Sequence, residues 1–128
     1  MIEGNLSCHR IYQDDDCISI LDKYPIDKGH SLIITKKPYE KITDMDVDEV
    51  AKLFSKIPKI ANAIIKATNA DAFSIAQNNG KAAKQIIPHV HIHIIPRYNM
   101  TGTLWTKRKI MKDNELDKMA QEIKNCFE

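Results

Sequence analysis

A chain of 128 residues, 43% apolar and 28% charged, has room for one core and the composition of a folded globular protein, which excludes disorder and collagen-like structure. Nineteen basic against 17 acidic residues leave a net charge of +2, too small and too interspersed to favour nucleic acid or an anionic membrane as partner. The densest basic patch, Lys107, Arg108 and Lys109, reads as a solvated turn.

Cys8, Cys17 and Cys126 are odd in number and lack C-x-x-C spacing, so neither a disulfide framework nor a four-ligand zinc site is expected. No apolar run approaches the roughly 18 residues that span a bilayer. The N-terminal MIEGNLSCHR also lacks a charged start followed by an apolar core. The expected location is cytoplasmic, or nuclear by diffusion.

In chain order, HRIYQ (9–13), CISILD (17–22) and HSLIITKK (30–37) carry the β-branched and aromatic residues of strands. DDD separates the first two, and KYPIDKG, with Pro25 and Gly29, forms the loop before the third. From Asp46 the period changes. Asp46 with Glu49 resembles a capping box, and Val47, Val50, Leu53, Phe54, Ile57, Ile60, Ala61, Ile64 and Ile65 recur at helical spacing. The pattern predicts one main helix of about 20 residues covering a sheet, kinked near its middle by Pro58 and closed by NAD at 69–71. AFSIAQN (72–78) predicts a fourth strand, NNGKAAKQIIP a loop opening on an Asn-Gly turn, and HVHIHIIPR (89–97) a fifth strand. Beyond Gly102, Leu116, Met119, Ile123 and Phe127 predict a C-terminal helix over 114–127. No repeat or second domain is apparent, so 1–128 reads as a single domain.

The fifth strand carries the chemistry. His89, His91 and His93 share one face, with Val90, Ile92 and Ile94 on the other. Alternate side chains lie about 6.7 Å apart and the outer pair about 13 Å. Zinc–nitrogen bonds are about 2.0–2.1 Å, so one ion could hold two of these histidines but not all three of a straight strand. Plain polar residues on a half-exposed strand would have to choose histidine three times. Phosphoryl or nucleotidyl transfer uses all three: imidazole donates hydrogen bonds to anionic oxygens when protonated and attacks phosphorus through an unprotonated nitrogen. The central His91 is the natural attacker, its other nitrogen held protonated, most simply by a backbone carbonyl.

HVHIHIIPR, preceded by QNNGKAAKQIIP and earlier by LDKYPIDKGHSLIITKK, resembles the histidine-triad (HIT) family of nucleotide hydrolases and transferases over residues 8–98. The resemblance implies an α+β fold, a five-stranded antiparallel sheet with one main helix and a C-terminal helix, dimerising into a ten-stranded sheet. It implies that His91 forms a nucleotidyl-histidine intermediate, that the backbone carbonyl of His89 orients its ring, and that His93 meets the phosphate and leaving group. His30 corresponds to a more distant supporting histidine; the alternative is a strand-start histidine at a core edge. Asn78 and Gln85 resemble the family's amide contacts to phosphate or to the bridging atom, and Asp22 its acceptor for ribose hydroxyls. Ile20 and Leu6 match positions lining the purine slot, or are ordinary core.

Some members hold a structural zinc through an N-terminal Cys-x-x-Cys and a later histidine. Here that pair is missing and Pro38 stands at the histidine's position, so no metal or other cofactor is expected. An aromatic that often borders the base is missing as well. Lys84 stands where many members have glycine, its ammonium directed at a polyphosphate or at solvent; Ile86 stands where some phosphoramidases have serine. The motif and the tail bearing Trp105 are closer to the Hint-like branch, which implies a homodimer acting on adenosine 5′-phosphoramidate-type purine nucleotides. Alternatives are a dinucleoside polyphosphate hydrolase, or a nucleotide-binding module with incidental turnover.

Overall fold

In the computed structural model the described residues are 9–99 and 112–127; Leu6, Trp105 and the Lys107–Lys109 patch lie outside them. Five strands, β1 (Arg10–Gln13), β2 (Cys17–Leu21), β3 (Ser31–Thr35), β4 (Ala72–Ala76) and β5 (His91–Arg97), form one sheet in the order β1-β2-β3-β5-β4, with every neighbouring pair antiparallel. The described residues also form three α-helices, α1 (Val47–Ser55), α2 (Ile57–Thr68) and α3 (Asp113–Lys124), and two short 3-10 turns, Ile42–Asp44 and Lys81–Ala83. None of them is long and apolar enough to cross a membrane.

The expected single main helix is two. Lys56 ends α1, its N–H bonded to the Leu53 carbonyl at 3.3 Å, and is also the N-cap of α2. Pro58 explains the break: it has no N–H to donate, its ring crowds the carbonyl four residues back, and the first turn of a new helix tolerates both. Asp46 is the N-cap of α1 as expected, but its side chain makes no capping bond. Glu49 turns instead to Lys37, 3.0 Å away. Asn69 closes α2 in the left-handed conformation, φ 58, where asparagine is tolerated.

One face of the sheet, with Ile33, Val90, Ile92 and Ile94, packs under Leu53, Ile60 and Ile64 and under Leu116, Met119 and Ile123 of α3. The other face is not a bare chemical surface. Ile18, Ile20, Leu32 and Ile34 cluster on it, and the β3–β5 register sets Leu32 against His93 and Ile34 against His91. His9, just before β1, fixes α3 through a 2.9 Å contact from Nδ1 to Asp117 Oδ1.

Asp14 organises the β1–β2 turn and ties it to the helix break. Its Oδ1 accepts the N–H groups of Asp16 and Cys17 (2.8 and 3.0 Å), and its Oδ2 accepts the Tyr12 hydroxyl (2.8 Å) and lies 2.9 Å from Lys56 Nζ. Burial alone would raise the Asp14 carboxyl, but the bonds from Lys56, Tyr12 and the two amides outweigh it and hold the group well below the ordinary carboxylate range. Burial, reinforced by the Asp14 charge, pushes the Cys17 thiol up to about 12, so it stays protonated near neutrality.

A depressed folded-state pKa contributes stability above the unfolded value of about 3.9 and loses it as pH falls further. Asp14→Asn should therefore cost about 1–2 kcal/mol at pH 7, and wild type and variant should converge in urea unfolding as pH falls from about 5 towards 2. An unchanged gap at pH 2.5 would contradict this role.

Candidate active site

His30 is placed by the loop before β3. Gly29 adopts φ +90, and a Cβ there would lie 2.6 Å from Thr68 Cγ2, so only glycine lets this loop press against α2. The next residue is thereby driven inward, and the His30 side chain is fully buried. The backbone N–H of Ile26 donates to His30 Nδ1 at 3.0 Å. An amide N–H can only donate, so Nδ1 holds a lone pair and the hydrogen of the neutral ring sits on Nε2. Nε2 lies 2.9 Å from His93 Nδ1. His93 must accept there, which puts its own hydrogen on Nε2.

His91 is ordered by the opposite kind of group. Its Nδ1 lies 2.7 Å from the backbone carbonyl of His89, which can only accept, so Nδ1 carries the hydrogen and Nε2 a lone pair. The His91 and His93 ring centroids are 5.0 Å apart and those of His30 and His93 5.1 Å. The rings thus lean together from the spacing that a straight strand would give.

His89 departs from the expected strand. β5 begins at His91, while the His89 N–H bonds to the Ile87 carbonyl (2.8 Å) and the Val90 N–H to that of Tyr39 (2.8 Å). The His89 ring turns aside to donate from Nε2 to the Thr35 carbonyl at 2.7 Å. Pro88 has no N–H to extend the ladder, and the bend frees the His89 carbonyl for His91.

His91 and His93 open into a cavity of about 510 Å³, within the range of small-molecule sites. Its described wall is apolar at Tyr24, Leu32, Ile86 and Ile87 and charged at Asp22 and Lys84. Asp22 Oδ1 accepts the Tyr24 N–H at 2.8 Å, and Oδ2 is 3.7 Å from His30 Nε2. Asp22, His30 and His93 each bring one atom that could ligate a metal to within 4.8 Å of the others. The short contact inside that group is nonetheless the imidazole–imidazole hydrogen bond, which a cation would have to break. The group reads as a proton-ordering pair beside a carboxylate.

Gln85 is not on the described cavity wall. It is buried, its Oε1 accepts the Gly80 N–H and its Nε2 donates to the Glu40 carbonyl, both at 2.6 Å. With both ends of its amide occupied, it pins the loop before β5 to the loop before α1. Asn79 adds a second tie, accepting the Ile42 N–H at 2.8 Å. The Asn78 side chain is half-buried and, among the described residues, makes no hydrogen bond. Ile20 stays in the apolar cluster with Ile18, Leu32 and Ile34 and is not on the described cavity wall. Lys84 is on that wall, with φ 71 and ψ 26. This left-handed backbone is the physical reason a glycine suits the position.

Tyr24, Leu32 and Ile87 are wall residues that the sequence does not single out, and Tyr24 is the one furthest from any motif. It lies in KYPIDKG, whose Pro25 and Gly29 signal only a loop; its place two residues after Asp22 was the available clue.

A HIT domain family profile matches residues 3–100. Adenylylsulfatase HINT3 of Arabidopsis thaliana is 43% identical over 127 residues, covering 98% of this chain; the chain in turn spans 64% of that relative's length. Adenosine 5′-monophosphoramidase hnt1 of Schizosaccharomyces pombe is 29% identical over 126 residues, covering 96% of this chain and 91% of that protein. Among solved structures, a Hit-like protein involved in cell-cycle regulation from Bartonella henselae superimposes with a TM-score of 0.88 at 32% identity, over 98% of this chain and 92% of that one.

Proposed function

The chain belongs to the HIT family, and on that premise we propose that it is a nucleotide hydrolase or transferase acting at the α-phosphorus of purine nucleotides through a nucleotidyl-histidine on His91. The observation that supports this most is the 2.7 Å bond from His91 Nδ1–H to the His89 carbonyl, which leaves a lone pair on Nε2. That lone pair attacks phosphorus and the bond to the leaving group breaks. Water then attacks the same phosphorus, the phosphorus–nitrogen bond breaks, and a nucleoside 5′-monophosphate leaves.

When Nε2 bonds to phosphorus, the ring becomes cationic. Its Nδ1–H bond to the His89 carbonyl is then charge-assisted, stronger than in the resting enzyme, which is the condition for an interaction to accelerate the step. His93 offers its Nε2–H to a phosphoryl or leaving-group oxygen, ordered from behind by His30. On the cavity wall Asp22 suits a pair of ribose hydroxyls and Tyr24 and Leu32 the face of a base; a phosphate contact by the Asn78 amide comes from the family resemblance. Adenosine 5′-phosphoramidate-type substrates come from the resemblance to the Hint-like branch and the printed activity of the fission-yeast relative; an adenylyl sulfate comes from that of the plant one.

We also read the chain as a homodimer joined at the edge strand β4. There Phe73 and Ile75 are 43% and 46% exposed on the face that α2 covers elsewhere. Sedimentation equilibrium should give twice the chain mass, and a monomer at tens of micromolar would rule this out.

His91→Ala should lower turnover of adenosine phosphoramidate by about 10⁴-fold or more while adenosine monophosphate still binds. Mass spectrometry of quenched wild type should find a nucleotidyl adduct on His91. Undiminished turnover by the variant, or an adduct on another residue, would refute the assignment. Binding without turnover of any nucleotide ester would favour a binding module.

A further inference from the structure

The reading of the cavity as a nucleotidyl-transfer site leaves open which bond is broken there, and three features of its wall bear on the leaving group. The first is Lys84. Among the described residues only Asn69 and Lys84 combine a side chain with a positive φ; both cap helices, Asn69 ending α2 and Lys84 ending the 3-10 turn Lys81–Ala83, but of the two only asparagine is at home in that conformation. Lysine has no short polar group to ease this conformation, and glycine would adopt it without strain. Strain of this kind persists where the surroundings enforce it, and it clusters at active sites and ligand clamps. The surroundings do enforce it: the Lys84 N–H bonds to the Lys81 carbonyl at 2.9 Å, and the next residue, Gln85, is pinned at both ends of its amide. The side chain is exposed at the cavity, and it is the one permanent cation on the described wall.

The second feature is Ile86, 85% exposed on the same wall, which brings neither a hydroxyl nor any other proton donor. The third is the His30–His93 pair. His93 can release its Nε2 hydrogen without becoming an imidazolate only if a second hydrogen arrives on Nδ1. The atom facing Nδ1 is His30 Nε2, and once His30 has given up that hydrogen it must take one on its own Nδ1. That hydrogen would point at the Ile26 N–H. The buried bonds therefore favour a pair that hydrogen-bonds to a leaving group over one that protonates it.

An amine leaving group must acquire a proton to depart, because the amide anion is too basic. A sulfate or a phosphate departs as a stable oxyanion and needs only charge compensation. Resting on the nucleotidyl-transfer reading, we infer that Lys84 is a specificity residue that turns this site towards nucleoside 5′-phosphates whose leaving group is an oxyanion, a sulfate or a further phosphate, and away from those that lose an amine. In that step the bond from His91 Nε2 to phosphorus forms. The bond from phosphorus to the bridging oxygen breaks with its electron pair, and the negative charge lands beside the Lys84 ammonium and the His93 Nε2–H.

The test is kcat/KM on adenosine 5′-phosphosulfate, diadenosine triphosphate and adenosine 5′-phosphoramidate for the full-length wild type and for Lys84→Gln, Lys84→Arg and Lys84→Gly. The wild type should favour one or both oxyanion substrates over the phosphoramidate. Lys84→Gln should reduce that ratio by about 10- to 100-fold, the usual effect of losing a charge-assisted contact. Lys84→Arg should keep most of it. Lys84→Gly should lose it while unfolding at higher urea, which separates the ammonium from the backbone. A loss confined to the phosphosulfate or to the triphosphate supports the proposal and identifies the leaving group. Equal losses on all three substrates, no loss on any, or a wild type that prefers the phosphoramidate would overturn it. A folded wild type that turns over none of them and forms no adduct on His91 would overturn the nucleotidyl-transfer reading beneath it, an outcome separate from those concerning Lys84.

Discussion

Two backbone groups decide where the hydrogens sit in this cavity: the carbonyl of His89 and the N–H of Ile26. A carbonyl accepts and an amide donates, neither can exchange roles, and each meets one imidazole nitrogen. From those two constraints follow a lone pair on His91 Nε2 and a hydrogen on His93 Nε2, the second relayed through His30. Two alternate histidines on one strand thus present opposite faces to a ligand, a nucleophile and a donor, with the Asp22 carboxylate 3.7 Å from His30 Nε2 beside them.

Much of the remaining structure serves to hold those two backbone groups still. The His89 carbonyl is where it is because the chain leaves the sheet before His91, with the His89 ring anchored on Thr35 and the Val90 N–H on Tyr39. Gln85 and Asn79 clamp the preceding loop to the segment before α1. On the other side, Gly29 admits the close contact with Thr68 that pushes His30 inward, and the His30 N–H bonds to the Asp27 carbonyl at 3.0 Å. The apolar face of β5, through Ile92 and Ile94, locks the strand under the helices and so fixes the histidine face above it.

What was legible in the sequence had a period or a specific motif. The alternation expected over residues 89–97 is a strand from His91 onward, the apolar stripe is helical as its period requires though Val47 at its start is exposed, and Pro58, expected to kink one helix, lies where two helices meet. The proximity of His30 to the triad came from family resemblance alone, since 63 positions separate it from His93. Residues whose roles depend on non-local partners were misplaced. His89 reads as strand because nothing in HVH reports that the chain bends there. Gln85 reads as a ligand contact because its backbone partners, Gly80 and Glu40, are remote or unremarkable in sequence. Asp46 and Glu49 have the spacing of a capping box, but Lys37, brought in by β3, takes the carboxylate of Glu49. Tyr24 was invisible because a loop signal says where the chain turns and not which side chain it leaves on a cavity wall.

The tautomers can be read directly. Nitrogen-15 chemical shifts and two-bond couplings of the imidazole rings, in the unliganded full-length protein near pH 7.5, assign a hydrogen to Nδ1 or Nε2 of each histidine. The expected pattern is Nδ1–H with an unprotonated Nε2 for His91, and Nε2–H with an unprotonated Nδ1 for both His30 and His93. A hydrogen on His91 Nε2, or on His30 Nδ1, would contradict the ordering on which the proposed chemistry rests.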